Sequence, residues 1–207
     1  TVEDFIACFA DASGRDLGSF MRWYSQAGTP QVSVRASYDA AARRLTLGIE
    51  QETPATPGQP TKLPQVIPIR FGLVGSSGND IAAASVSGAE VVGDVLLIER
   101  DRQTVTFDGL DERPIPSLLR GFSAPVLLED GLSDPQLLTL LRFDADAFNR
   151  WEAGQRLSLK RLLRAARSGQ PLQLDNAYVE AMRAVLRHAD LDPAFKAEAL
   201  KLPDAAY

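Results

Sequence analysis

Histidine and cysteine each occur once in the 207 residues, as His188 and Cys8. A catalytic zinc takes three protein ligands, usually drawn from His, Glu, Asp and Cys. The helical motif in which two His flank a Glu cannot be written with a single His. A Ser-His-Asp site would have to use His188, which falls near the end of an expected helix, where partial positive charge suits the helix dipole. No Ser stands in a G-x-S-x-G elbow. Gly75-Ser76-Ser77-Gly78 lacks that spacing and reads as a loop after a strand. With no Lys-Ser or Lys-Thr following, it is no phosphate cradle either. One cysteine excludes an intramolecular disulfide and fits a reducing compartment. Cys8 itself lies on an apolar helix face and is expected as a small buried apolar residue. No apolar run nears the ~20 residues of a membrane span, and no signal-peptide pattern is present, so we expect a cytoplasmic protein with no membrane partner. The net charge of −5 argues against nucleic acid, which needs a clustered basic face. The local basic run Lys160-Arg161, Arg164 and Arg167 is expected to be a solvated helix face.

What is present falls into three parts, with breaks placed near residues 30 and 130. Residues 1–30 read as helix, turn, helix. Thr1 and Asp4 form a cap, with Asp a weaker partner than the Glu or Gln of the usual capping box. Val2, Phe5, Ile6 and Phe9 share one face, and Ser13-Gly14 ends the helix. Asp16 is expected to cap a second helix with Leu17, Phe20, Met21 and Tyr24 on its apolar side. That helix stops at Gly28, and Pro30 forbids its continuation. Residues 31–130 read as short strands at 32–36, 45–49, 66–74, 91–98, 103–107 and 123–128, with a hairpin turn at 38–43 and a Pro-rich loop at 53–64. Pro68 points to a strand start or an edge. Residues 81–90 leave strand, bulged edge and loop open. Residues 131–207 read as helices. Ser133 and Gln136 form a capping box with Pro135 in the first turn. Asp144 or Asp146 begins a long helix with Phe148, Trp151, Leu159, Leu162 and Ala166 as its stripe, ending at Gly169. Asp175 or Asn176 begins another, with Tyr178, Ala181, Met182 and Val185 inward, and Asp192-Pro193 a fourth. The expected fold is mainly β with α flanks: an antiparallel immunoglobulin-like β-sandwich preceded by two short helices and followed by the first helices of an α-helical domain.

Paired acids could in principle do acid–base work: Glu129-Asp130, Asp111-Glu112 and Asp144 with Asp146. Each stands at a turn or helix start, where acids are expected without any catalysis. The aromatics Trp23, Tyr24, Phe148 and Trp151 lie at helical spacing and read as packing residues. We therefore assign no catalytic, cofactor-binding or metal residue in this chain.

Three stretches resemble the aminopeptidase N family of bacterial zinc metallopeptidases. The first is Thr1-Val2-Glu3-Asp4-Phe5 followed by Arg22-Trp23-Tyr24-Ser25-Gln26-Ala27-Gly28-Thr29-Pro30, similar to the end of the family's thermolysin-like catalytic domain. The second is Gln51-Glu52-Thr53-Pro54-Ala55-Thr56-Pro57-Gly58-Gln59, similar to the loop after the second strand of its sandwich. The third is Phe122-Ser123-Ala124-Pro125-Val126 with Asp146-Ala147-Phe148-Asn149-Arg150-Trp151-Glu152, similar to the last sandwich strand and the opening of the helical domain. The resemblance implies a parent hydrolase that uses zinc to remove N-terminal residues from peptides. Its zinc ligands, catalytic Glu and substrate-binding residues would lie before Thr1, and none can be placed on a residue here. Both ends read as cut rather than finished. The expectation is thus a non-catalytic segment: 1–30 closing the catalytic domain, 31–130 a bracing sandwich, and 131–207 opening the helical domain. Zinc and peptide substrates belong to the parent alone, and the partners are the rest of the parent chain. Apolar surface should then be exposed on 1–29 and 145–207. The competing reading is a free-standing β-sandwich adaptor. An enzyme whose site converges on Asp144 and Asp146 is a third.

Overall fold

The computed structural model describes residues 1–203, so residues 204–207, where a further helix is expected to begin, lie outside the described residues. The first helix, α1 (Val2–Ser13), starts in a complete capping box between Thr1 and Asp4 and closes on Gly14 at φ 67. Aspartate thus serves as the reciprocal acceptor despite its short side chain. Only Ile6 of this helix is buried, while Val2, Phe5 and Phe9 stand in the open. Cys8 is exposed, which corrects the expectation of a buried thiol: the face that carries it has nothing packed on it.

The second helix is a single turn, α2 (Arg22–Ser25), capped at Met21 rather than Asp16. The Asp16 carboxylate instead accepts the N–H of Gly18, two residues on, at 2.8 Å. That local bond competes with helix initiation. The helix also ends earlier than the sequence suggests, because Gln26 is already extended (φ −105, ψ 126). Gly28 (φ 100) serves a different need. A Cβ there would press on the Thr53 and Thr56 methyls at 3.3 and 3.4 Å, where the Pro-rich loop crosses the junction.

The sandwich has two sheets. The strands are β1 (Gln31–Asp39), β2 (Arg44–Glu52), β3 (Ile67–Val74), β4 (Ser85–Ser87), β5 (Glu90–Val92), β6 (Val95–Ile98), β7 (Arg102–Asp108), β8 (Ile115–Leu118) and β9 (Leu127–Glu129). One sheet runs β4-β7-β2-β1-β9 and the other β5-β6-β3-β8. Alternation places Val32, Val34, Leu45, Leu47 and Ile49 inward against Ile67, Ile69, Leu96 and Ile98. The β1–β2 hairpin closes with Asp39 opposite Arg44, its turn held by the Asp39 carboxylate on the N–H groups of Ala41 and Ala42.

Three strand readings need correction. Residues 91–98 form two strands, with Gly93 at φ 62 in the turn between them. Strand β8 has no expected counterpart, since Pro114 and Pro116 mask it. The stretch read as a strand at 123–128 is mostly a turn and enters the sheet only at Leu127, pairing parallel to β1, so the sandwich is not wholly antiparallel. The open segment 81–90 resolves to a loop leading into the short edge strand β4. Pro68 fits its place: β8 pairs only with residues 71–74 of β3, so the missing N–H at 68 faces the side without a partner strand.

The helical region contains α3 (Asp134–Phe143), α4 (Ala147–Ser168), α5 (Asn176–Arg187) and α6 (Pro193–Ala199). Ser133 and Gln136 make the capping box of α3. Asp146 caps α4, Asp175 caps α5 and Asp192 caps α6. Leu137, Leu140, Leu141, Leu157, Tyr178, Ala181 and Val185 share one core, and Val74 of β3 belongs to it. The sandwich therefore supplies part of the helical core. The buried face of α4 differs from the expected stripe. Asn149, Arg150, Ala153, Gly154, Leu157, Ser158 and Arg161 face inward, while Ala166 is exposed. Small residues here allow close packing, for a Cβ on Gly154 would lie 3.3 Å from Leu141 Cδ1. Arg161 is likewise no solvated residue. Its guanidinium lies over the Tyr178 ring at 4.6 Å and donates to the Asp175 carboxylate and the Leu157 carbonyl.

Candidate functional site

Among the described residues no three of His, Cys, Asp and Glu gather where a metal ion could be held. His188 is the C-cap residue of α5 and its Nδ1 accepts the Asp190 N–H at 3.2 Å. Cys8 stands alone on α1. Five of the six paired acids are tied to a structural partner, while Glu129 ends β9 and lines a cleft with Asp130 and Arg156. Asp130 takes both guanidinium nitrogens of Arg156 at 2.6 and 2.8 Å. Asp111 pairs with Arg43. Glu112 accepts the Ser76 N–H at 2.9 Å, and hydrogen bonds from Ser76 lower its pKa. What the structure does gather is a set of polar contacts at each end of the sandwich.

At the first junction the Pro-rich loop is stitched to α2 and the residues after it. Trp23 packs on the sandwich core, and its indole N–H donates to the Val66 carbonyl at 2.8 Å. Gln26 donates to the Leu63 carbonyl at 2.9 Å and accepts the Leu63 N–H at 2.7 Å. Gln59 accepts the Ala27 N–H at 2.8 Å and donates to the Ser25 carbonyl at 2.9 Å. Lys62 reaches the Ala27 carbonyl at 2.8 Å, and Arg22 donates to the Pro64 carbonyl. Tyr24 does not join this packing. It lies open beside Phe20, and with Phe5, Ile6, Phe9 and Leu17 these rings line an apolar cleft of about 310 Å³ between α1 and α2.

At the second junction a turn at Arg120–Phe122 follows β8. The Arg120 guanidinium lies across β3 at Gly72, where any Cβ would collide with it. It donates to both oxygens of Asp80, at 2.5 and 2.8 Å, to Asp144 Oδ1 at 2.9 Å and to Ser117 Oγ at 3.0 Å. Asn149 of α4 donates to the same Ser117 oxygen at 2.7 Å and to the Leu118 carbonyl at 2.8 Å. Asp146 divides its carboxylate, with one oxygen capping α4 at the Asn149 N–H and the other accepting the Gly121 N–H, both at 2.9 Å. Asp144 is fully buried. Burial raises its pKa, against the opposing pull of Ser117, the Asp146 N–H and the Arg120 charge. Burial works against the charge on Arg120 too, but Asp80 and Asp144 outweigh it and its pKa is raised. Arg150, which donates to the Asp144 carbonyl, has its pKa lowered by burial, with Asp144 opposing. The turn itself is strained. Leu119 (φ 58) and Phe122 (φ 52) are left-handed without being glycine, at about 1–2 kcal/mol each.

These arrangements hold the sandwich to the elements that flank it, and Asn149, Asp130 and Arg156 also line a cleft of about 490 Å³ together with Glu129, Glu152 and Phe148. The sequence reading missed Arg120, Ser117, Asn149, Gln26, Gln59 and Lys62. A detectable signal exists for Arg120: a lone charge inside Ser117-Leu118-Leu119-Arg120-Gly121-Phe122 signals a buried, paired guanidinium.

A family described as "Domain of unknown function (DUF3458) Ig-like fold" matches residues 28–131. The chain belongs to the DUF3458 family. A second match, "Domain of unknown function (DUF3458_C) ARM repeats", covers residues 134–207, so the DUF3458 sandwich is followed by a helical ARM-repeat region. Over 98% of its length this DUF3458 chain is 43% identical to aminopeptidase N of Escherichia coli (strain K12). It is 44% identical to that of Caulobacter vibrioides and 35% identical to that of Haemophilus influenzae, again over 98% of the chain. Among solved structures it superposes on Legionella pneumophila aminopeptidase A in complex with aspartic acid, with TM-score 0.81, 31% identity and 99% of this chain covered. The resemblance to aminopeptidase N noted from three stretches thus extends along the whole chain. The chain spans only 22–24% of the length of these curated relatives and 22% of the Legionella chain.

Proposed function

We propose that this chain is a non-catalytic structural segment of a zinc-dependent aminopeptidase N that removes N-terminal amino acids from peptides. In this reading residues 1–30 close a catalytic domain, 31–130 form the bracing sandwich and 131–207 open the helical domain. The observation that carries it is the match of 98% of the chain to about a quarter of several aminopeptidases. It is supported by the single His of the sequence, with which the helical motif of two His flanking a Glu cannot be written. Zinc, where the parent binds it, would supply activated water from ligands outside this segment. The residues here would orient the domain that holds it.

The bracing role follows from the first junction. Hydrogen bonds from Arg22, Trp23, Gln26 and Ala27 to residues 59–66 leave α2 little freedom relative to the sandwich. The open apolar cleft of Phe5, Phe9, Phe20 and Tyr24 is the surface on which the rest of the parent chain would pack. Exposed Leu163, Leu172, Leu174 and Leu186 offer the same at the helical end. We place the parent in the cytoplasm. Among the described residues no helix is long and apolar enough to cross a membrane, and the net charge of −5 offers nothing to nucleic acid. The reading frame ahead of Thr1 tests the proposal. A His-Glu-x-x-His helix with a downstream Glu is expected there, and a start codon close before Thr1 would favour the adaptor reading instead.

A further inference from the structure

The strained turn at 119–122 is held from one side and leads directly to the other. From the helical region, Asp146 accepts the Gly121 N–H, Asn149 donates to the Leu118 carbonyl, and the Phe148 ring packs on Phe122 with centroids 5.4 Å apart. Beyond the turn, Ala124 and Val126 are buried in the sandwich. The chain then enters β9, whose Leu127 N–H donates to the Pro30 carbonyl at 2.9 Å. Pro30 follows the segment 26–28 that the Pro-rich loop clasps. A non-glycine backbone in the left-handed region persists only where its surroundings over-determine it, and here those surroundings include Asn149 and Phe148 of α4 and its cap Asp146.

We infer that the 119–122 turn is a conformational relay: contacts from the start of α4 hold it in its strained form, and that form keeps β9 paired with β1 at the 26–30 junction. The position of the helical region is thereby coupled to the order of the segment that joins the sandwich to whatever precedes it. This deepens the bracing reading by naming a route through the sandwich edge, along Asp146, Gly121, Leu127 and Pro30.

The test is amide hydrogen exchange in the full-length protein. Asp146→Ser keeps an oxygen to cap α4 but cannot also reach Gly121. Loss of a charge-assisted bond should speed exchange about tenfold in the peptide containing Gly121 and, by the relay, in the peptide containing Leu127, with the first turn of α4 unchanged. Phe148→Ala, which removes the ring packed on Phe122 and leaves the Asp146 cap in place, should speed exchange in both peptides as well. Faster exchange at Gly121 with Leu127 still protected would make the turn a local feature and overturn the relay, as would no change at either. Should Asp146→Ser loosen α4 itself, Phe148→Ala alone decides: the relay requires faster exchange at Leu127, and Leu127 still protected refutes it. Peptidase activity of the same variants separates this from the bracing reading. Faster exchange at Leu127 with activity intact counts against bracing and leaves the relay standing. Lost activity with Leu127 protected does the reverse.

Discussion

Gln26 and Leu63 exchange two hydrogen bonds, the side-chain amide of one satisfying both backbone groups of the other at 2.9 and 2.7 Å. Residues 37 apart in sequence are joined as two strands would be, with a side chain standing in for a backbone. Gln26→Ala should leave both Leu63 groups to water and cost about 1 kcal/mol, because the site is open to solvent. A chemical-denaturation midpoint on the purified chain measures it. Trp23→Phe, which removes the donor to Val66 together with part of the ring packed on the sandwich core, should cost about 2–3 kcal/mol by the same measurement.

Arg120 should be far less tolerant. Its side chain is nine-tenths buried against a fully buried Asp144, and removing one member of such a pair leaves the other charge uncompensated. Arg120→Met should destabilise the chain by about 3–5 kcal/mol. Arg120→Lys should recover little of that, since an ammonium cannot reproduce the fork that spans both Asp80 oxygens while reaching Asp144. Gly72→Ala should be comparably harmful, because its Cβ would displace the guanidinium. Thermal melts of the three variants rank them.

The raised pKa of Asp144 gives a pH dependence with a definite sign. The unfolded chain ionises this carboxyl at lower pH than the folded chain does, so the folded state holds more protons between the two values. Stability should therefore fall as pH rises from the ordinary aspartate range through the raised folded value, and level off above it. Asp175 acts oppositely. The Tyr178 N–H, more than the Arg161 charge, lowers its pKa, so its contribution is lost as pH falls below the ordinary aspartate value. Denaturation midpoints over about pH 3 to 7 should show Asp144→Asn removing a decline toward neutrality and Asp175→Asn removing a loss at the acid end.

Much of this architecture is visible in the sequence because it rests on local rules. The caps at Thr1, Ser133, Asp146, Asp175 and Asp192 need only a short side chain followed by free N–H groups. The inward residues of β1 and β2 follow from strict alternation. What is hidden depends on distant partners. Strand β9 pairs with β1 through three residues, too few for any periodic signal. Asp16 satisfies Gly18 instead of starting a helix. The face of α4 is polar because it packs against Arg120's surroundings and the Asp175 cap, and a search for an apolar stripe passes over Asn149 and Arg161. The exposed thiol of Cys8 could not be read from α1 alone, where Ile6 is the buried residue and Cys8 lies outside that contact.

Exposed apolar surface on α1 and α2 carries its own prediction. Phe5 and Phe9 stack edge to face at 4.9 Å yet are each more than half exposed. The purified chain should bind a hydrophobic dye more strongly than a Phe5→Ser/Phe9→Ser variant does, with the melting temperature little changed because neither ring is buried. An equal dye signal from both would place the open surface elsewhere.

The central claim is that this segment positions a peptidase without performing its chemistry. The most direct measurement is release of chromophore from an alanyl chromogenic substrate by the pure 207-residue chain supplied with zinc. No release above the zinc-only blank is predicted. Zinc-dependent turnover that co-purifies with the chain and disappears on chelation would contradict it.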